Sequence, residues 1–468
     1  MKLYKPINDN KEYIFGKLDN GIEVLNIYDN NSRITKLVLT VSAGFNNDPV
    51  EFPGVAHFLE HMLFMGTLQN SNPDFFLSNL NLYGGTSNAI TSDEFTSYFF
   101  EVHSKHFNML VEIFSHFFIS PLFDANMIVK EINAVNSEHE KNRTSDLWRL
   151  NMLLRSLATT GHVYNRFGGG NNTTLSENMR YELIKFFDKY YVAANIKIIV
   201  SSNIKTKKVF ERINECFKNI PYGMENRIDL ANHVWTLPFN YEKELRLDDF
   251  NKVVKVVPIE DVQTLNLFWQ FPNMSRYFLY KPLDYIAVMI ENEAPNSLYT
   301  QLKQLNLVVN IDVIKYDENQ DVTFLYMFVH LTDYGYSNIP FVISSIFSYI
   351  RLIQARGIDQ IKYHEISLMK KINFDYDFNL DSDESLVDLS YNLFKYPKKY
   401  ILNADYVNHA FHDDTYAIIS NCLDLMRPFN TIVFICSKNY INETTYIEKW
   451  YGTQYEETKL LKQSSHDI

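Results

Sequence analysis

The sequence predicts an α+β protein of two similar domains, each an antiparallel-rich mixed sheet packed with helices. Three observations lead there. The chain has 468 residues, too many for one ordinary core, so two domains of about 200 or more residues are expected. It is 46% apolar, with 35 Phe and 31 Tyr, ample for packed cores and unlike a disordered chain. One order of elements (strand, helix, helix, strand, strand, helix) also occurs twice at a spacing of roughly 230 residues, far longer than a solenoid repeat.

In the first copy, TKLVLTVSAG (35–44) is a strand by its β-branched apolar run, and a loop closed by Pro53 and Gly54 leads into a helix carrying AHFLEHMLF (56–64). PDFFLSNLNLYGG (73–85) is the second helix, and SNAITS (87–92) and FTSYFFEV (95–102) are alternating strands. An amphipathic helix from about Ser104 to Phe118 follows, then one long helix from Asp124 to about Ala158. TGHVYNRFGGGNNTTL (160–175) is a loop by its Gly and Asn content, and its glycines lack the Gly-Lys-Ser/Thr ending of a phosphate loop.

The polar stretch 221–249, with Pro221 and Pro238, reads as the connection, dividing the chain into residues 1–233 and 234–468. In the second copy, TLNLFWQFP (264–272) is a strand, 281–293 and 296–306 are helices, 307–314 and 321–331 are strands, and 339–353 is a helix. Where the first copy has AHFLEHMLF, the second has DYIAVMIEN (284–292), with no histidine. That difference places one functional site in the first domain and none in the second.

Several function classes are excluded. A net charge of −12 and the lack of a basic run disfavour nucleic-acid or anionic-membrane partners, which need cationic patches. Cys216, Cys422 and Cys436 are odd in number and far apart, so they form neither a disulfide framework nor a CxxC metal site. The N-terminal residues have no apolar leader, and no window approaches a membrane span; a cytoplasmic location is the expectation.

The polar residues of the greasy 54–67 stretch carry the chemistry. On a helix, His57 and His61 lie about 40° apart and one turn up, with Glu60 about 60° from His57. Two imidazoles on one face begin a zinc site, and the adjacent carboxylate can take a proton from water there; the order H-x-x-E-H is the inverzincin motif. A zinc hydrolase needs a third protein ligand. KEINAVNSEHEKN (130–142) offers Glu138 as ligand, with Glu131 seven residues earlier on the same face as its supporting carboxylate. Spacing alone leaves His103, His106, His139 and His162 open for the same place.

Five ordered blocks, HFLEHMLFMGT, GGTSNAITSDEFTSYFFEV, EINAVNSEHEKN, FGGGNNTTL and EKWYGTQY (448–455), resemble the insulin-degrading enzyme branch of the pitrilysin family of zinc metallopeptidases. The resemblance runs from about Tyr13 to Tyr455 and implies two domains of the mitochondrial-processing-peptidase type. It implies one Zn2+ held by His57, His61 and Glu138, with Glu60 as general base and Glu131 as supporting carboxylate. It also implies substrate contacts at Asn88 and Ala89, on a strand that pairs with an extended peptide or unfolded polypeptide.

Full-length members of that branch have four such domains, and their second half supplies an Arg and a Tyr to the transition state. The sequence also departs from the branch at Glu291, Asn292 and Ala294, where Gly or His is expected. The resemblance therefore implies a zinc endopeptidase that works as a homodimer or with a separate second-half subunit; the alternative is a peptide-binding or regulatory half with little turnover of its own.

Overall fold

A computed structural model describes residues 3–158, 160–224, 251–316 and 322–460. The chain divides into two compact units. The first is Met1–Lys141, Arg166–His233 and Asn373–Ala404, and the second is Asn142–Asn165, Val234–Ile372 and Asp405–Ile468. Relative to one cut after residue 233, the segments 142–165 and 373–404 are exchanged between the units. The expected connection lies mostly outside the described residues, and so does the expected boundary.

Among the described residues, the first unit holds β1 (Glu12–Lys17), β2 (Glu23–Tyr28), β3 (Ile34–Val41), β4 (Thr86–Thr91), β5 (Thr96–His103) and β6 (Ile196–Ser202) in one sheet, ordered β1-β2-β6-β3-β5-β4. β2 and β6 are parallel, and the other neighbours are antiparallel. β4 is an edge, paired with β5 from Thr86↔Glu101 to Thr91↔Thr96. Its burial alternates residue by residue, as a strand with one covered face requires.

The second unit repeats this plan. β7 (Lys252–Val256), β8 (Thr264–Pro272), β9 (Val308–Tyr316), β10 (Val322–Leu331), β11 (Thr431–Cys436), β12 (Tyr446–Ile447) and β13 (Gln454–Lys459) are ordered β12-β13-β7-β11-β8-β10-β9. The run β7-β11-β8-β10-β9 matches β2-β6-β3-β5-β4, down to a single parallel pair, β7 with β11. One position is filled differently. The strand beside β2 is the N-terminal β1, whereas the strand beside β7 is β13, from the end of the chain. The α+β class and the duplication are thus visible in the pairing itself.

The expected helix from Asp124 to Ala158 is two helices, Ala125–Asn142 and Asp146–Ser156. The break falls in Arg143-Thr144-Ser145, where Ser145 is extended at φ −106°, ψ 122°. Thr, Ser and Asp in succession favour helix starts over helix interiors. The Asp146 carboxylate accepts the N–H groups of Ile259 and Glu260 at 2.8 and 2.9 Å, which fixes the second helix to the second unit.

What positions the histidine helix is the first unit's core. Val55–Leu63 buries Val55, Ala56, Phe58, Leu59, Met62 and Leu63 among aromatic side chains that include Phe76, Phe100, Phe114 and Phe118. Each of these side chains except Ala56 contributes about 1.5 to 3 kcal/mol on burial. The helix can rotate only by giving that up, so the direction of its polar face is set by the apolar one.

Candidate active site

The start of the histidine helix is tied down three ways. Asp48 accepts the N–H groups of Gly54 and Ala56 at 2.7 and 2.8 Å, satisfying donors that a helix N-terminus leaves open. Arg166 donates to the carbonyls of Asn46 and Asp48 at 2.7 and 2.9 Å, holding the loop before the helix to the glycine loop after it. Gly54 has φ +94°, and a Cβ there would stand 2.4 Å from the Gly170 Cα. Only glycine permits this approach.

That approach brings the Gly169 carbonyl 2.6 Å from His57 Nδ1. On the same helix face, His61 Nδ1 lies 3.3 Å from Glu131 Oε2. A carbonyl and a carboxylate only accept, so both imidazoles donate through Nδ1, and in the neutral ring Nε2 keeps its lone pair. These Nε2 atoms lie 3.6 and 3.7 Å from Glu138 Oε2, and the two rings meet edge to face with centroids 4.9 Å apart. Neighbouring ligands on one tetrahedral zinc ion stand roughly 3.4 Å apart for bonds near 2.1 Å. The donor set therefore suits such an ion. Among the described residues, His57, His61 and Glu138 form the one group of three metal-capable side chains, with ligand atoms all within 4.8 Å of one another.

The electrostatics point the same way. Glu60 and Glu131 are buried, and Glu138 is partly exposed. Two buried carboxylates beside two half-buried imidazoles, with the exposed Glu138 at their edge, are costly unless a cation joins them. With only protons available, burial works against charge on His61, but hydrogen bonds to Glu131 and Glu138 outweigh it and raise its pKa to about 9. The His61 hydrogen bond, opposed by burial and aided by the charge on His57, holds Glu138 below the usual carboxylate range.

Glu60 lies on the buried side of the helix and accepts a 2.6 Å hydrogen bond from the Thr91 hydroxyl at the end of β4. Asn88 and Ala89 lie on β4 itself, Asn88 exposed and Ala89 half-buried. The N–H of Ala89 is taken up by the Asn88 side chain at 2.9 Å.

The histidines left open by spacing go elsewhere. His139 is buried against Phe167 and 3.4 Å from the Asn171 amide. His103 accepts the Lys105 N–H, His162 accepts the Tyr164 N–H, and His106 stacks on Tyr83. Sequence reasoning missed Gly169, Thr91, Asp48 and Arg166. The first acts through its backbone, and Thr91 is one hydroxyl among many. Asp48 alone carried a readable signal, as an acidic residue before a helix start.

The fold and this site define a duplicated α+β architecture with one inverted His-x-x-Glu-His cluster. Models of one family cover nearly the whole chain: Insulinase (Peptidase family M16) over residues 23–161, Peptidase M16 inactive domain over 179–366, and the middle or third domain of peptidase M16 over 374–468. The chain belongs to peptidase family M16.

It is 31% identical to Insulin-degrading enzyme-like 2 of Arabidopsis thaliana, over 98% of this chain and 47% of that protein. It is also 31% identical to human insulin-degrading enzyme, over 97% of this chain and 44% of that one. The crystal structure of pitrilysin superposes with a TM-score of 0.90 at 25% identity, over 99% of this chain and 48% of that one. A protease from Helicobacter pylori shares the fold at 17% identity and a TM-score of 0.71, covering 93% of this chain and all of that one. The chain spans about half the length of the curated relatives it matches.

Proposed function

We propose that this chain is the catalytic half of a zinc-dependent endopeptidase that hydrolyses peptides or unfolded polypeptides. The observation that carries the reading is the pair of imidazoles whose Nδ1 atoms are held by Gly169 and Glu131 while their Nε2 atoms face Glu138. His57, His61 and Glu138 would hold the zinc, which when bound supplies a Lewis acid that polarises a peptide carbonyl and acidifies a water. Glu131 keeps His61 in the tautomer and orientation a ligand needs.

Glu60 is the general base. One of its oxygens is engaged by Thr91, which leaves the other to take the attacking water's proton and return it to the leaving amine. β4 presents an open edge on which an extended peptide can add as a further strand, with Asn88 releasing the Ala89 N–H to the incoming backbone. Main-chain pairing of this kind holds a peptide beside the metal and leaves sequence preference loose.

A second reading is favoured by the half-length match to the relatives. Here the chain binds peptide but turns over slowly until a second copy or a separate second-half subunit encloses the substrate. The test is hydrolysis of a quenched fluorescent peptide by the purified chain, with zinc content and sedimentation measured on the same sample and Glu60→Gln as the blank. Cleavage lost in the blank, with zinc retained, supports the first reading. Stoichiometric zinc without cleavage supports the second, and absence of zinc overturns both.

A further inference from the structure

Thr91 Oγ1 lies 2.6 Å from Glu60 Oε2, and the direction of that hydrogen bond follows from its surroundings. A carboxylate accepts only, so Thr91 donates. Its cross-strand partner Thr96 gives its own proton to the Ala43 carbonyl at 2.9 Å. The two hydroxyls are 3.5 Å apart, too far to compete with a 2.6 Å bond to a charged acceptor.

We propose that Thr91 is a positioning residue for the general base: its hydroxyl fixes Glu60 Oε2, so that Oε1 is the oxygen that takes and returns the proton. The inference rests on the peptidase reading above. Three observations carry it. Glu60 is 9% exposed, so solvent does little to orient its carboxylate. Threonine is stiff at χ1, so the strand backbone dictates where the hydroxyl sits. Thr91 also stands on β4, two residues beyond Ala89. The strand offered to a substrate backbone and the strand that holds the base are therefore one, and β4 sets the distance between them.

A purely structural hydroxyl, present only to satisfy a buried carboxylate, predicts something different. Thr91→Val keeps the branched shape and removes the hydroxyl, whereas Thr91→Ser keeps the hydroxyl. With the zinc-loaded full chain, the Val variant is expected to lower kcat about 10- to 100-fold, with KM within about threefold of wild type and zinc still stoichiometric; the Ser variant returns to within about threefold in kcat. Wild-type kcat in the Val variant, equal loss in both variants, or a loss confined to KM, zinc content or thermal midpoint would overturn the proposal.

Crystal structures of the same zinc-loaded proteins give a readout that needs no turnover. The Glu60 carboxylate is expected in one orientation in the wild type and Ser variant and in several in the Val variant. One unchanged orientation in the Val variant overturns the proposal. If the wild-type chain holds zinc and cleaves nothing, yet the Val variant alone loses the single orientation, the peptidase reading of the isolated chain fails and the positioning role stands.

Discussion

Two helices occupy the same place in the two units. Val55–Leu63 follows β3 and starts after Gly54 at φ +94°, while Pro282–Ile290 follows β8 and starts after Lys281 at φ +49°. Three, six and seven residues after the left-handed residue, the first helix carries His57, Glu60 and His61; the second carries Asp284, Ala287 and Val288. Both helices bury their apolar faces in the core of their own unit. The fold asks for that face and a left-handed entry. The histidine helix adds what the fold does not need: glycine at the entry, a second glycine pressed on it, and a carbonyl aimed at an imidazole.

The largest expected effect tests whether the site is separable from the fold. His57→Ala with His61→Ala makes the first helix resemble the second, and we expect zinc to be lost while far-UV circular dichroism and cooperative unfolding persist. An unfolded variant would mean that the histidines are part of the scaffold. Next comes the entry glycine. Gly54→Ala places a Cβ against the Gly170 backbone and should cost about 2 to 4 kcal/mol in denaturant unfolding; a cost under about 0.5 kcal/mol would show that the glycine loop gives way freely.

Glu131→Gln keeps the shape but removes the charge beside His61, and should weaken zinc binding about 10- to 100-fold in a competition with a chelating dye. Unchanged affinity would leave Glu131 with no part in tuning the ligand. The smallest effect lies in the second unit. Burial of Lys281, opposed by Asp284 and Asp405, pushes its pKa down to about 8, below its unfolded value. Between that pH and about 10.4 the unfolded chain binds a proton that the folded chain has lost, so stability rises with pH. The wild type should gain about 1.5 kcal/mol relative to Lys281→Met between pH 8 and pH 9.5. Parallel pH profiles for the two proteins would show that Lys281 is not held neutral.

How much of this was legible follows from range. The histidine helix, β4, β5 and β8 could be read because their patterns are local, a greasy 3.6 period or an apolar run. The break at Arg143-Thr144-Ser145 was overrun because apolar residues continue on both sides of it. β1, β2, β6 and the helices Arg180–Tyr190 and Thr206–Phe217 carry no motif and lie outside the run of elements that the sequence repeats, so neither signal marks them.

The exchange of segments between units was invisible for a different reason. Helix Asp383–Lys395 belongs to the first unit, where Ser390 meets Thr40 at 2.6 Å across 350 residues of sequence, and periodicity carries no such pairing. In the site, residue type and spacing nominate His57, Glu60 and His61 and offer Glu138 and Glu131 among alternatives, while the family resemblance selects the set; the structure places both imidazoles beside Glu138 and His61 beside Glu131. Gly169 could not be nominated, because its contribution is a peptide carbonyl that any residue owns.

That carbonyl gives the chain an internal gauge of its own folding. His57 is oriented by a group 112 residues downstream, and it can be so oriented only once the glycine loop has closed on the helix. Before then the core can already hold the helix, but the His57 ring lacks the acceptor that fixes its orientation. Tight zinc uptake during refolding should therefore report the moment at which this loop docks, and a dye released on metal capture would time that one event in a chain of 468 residues.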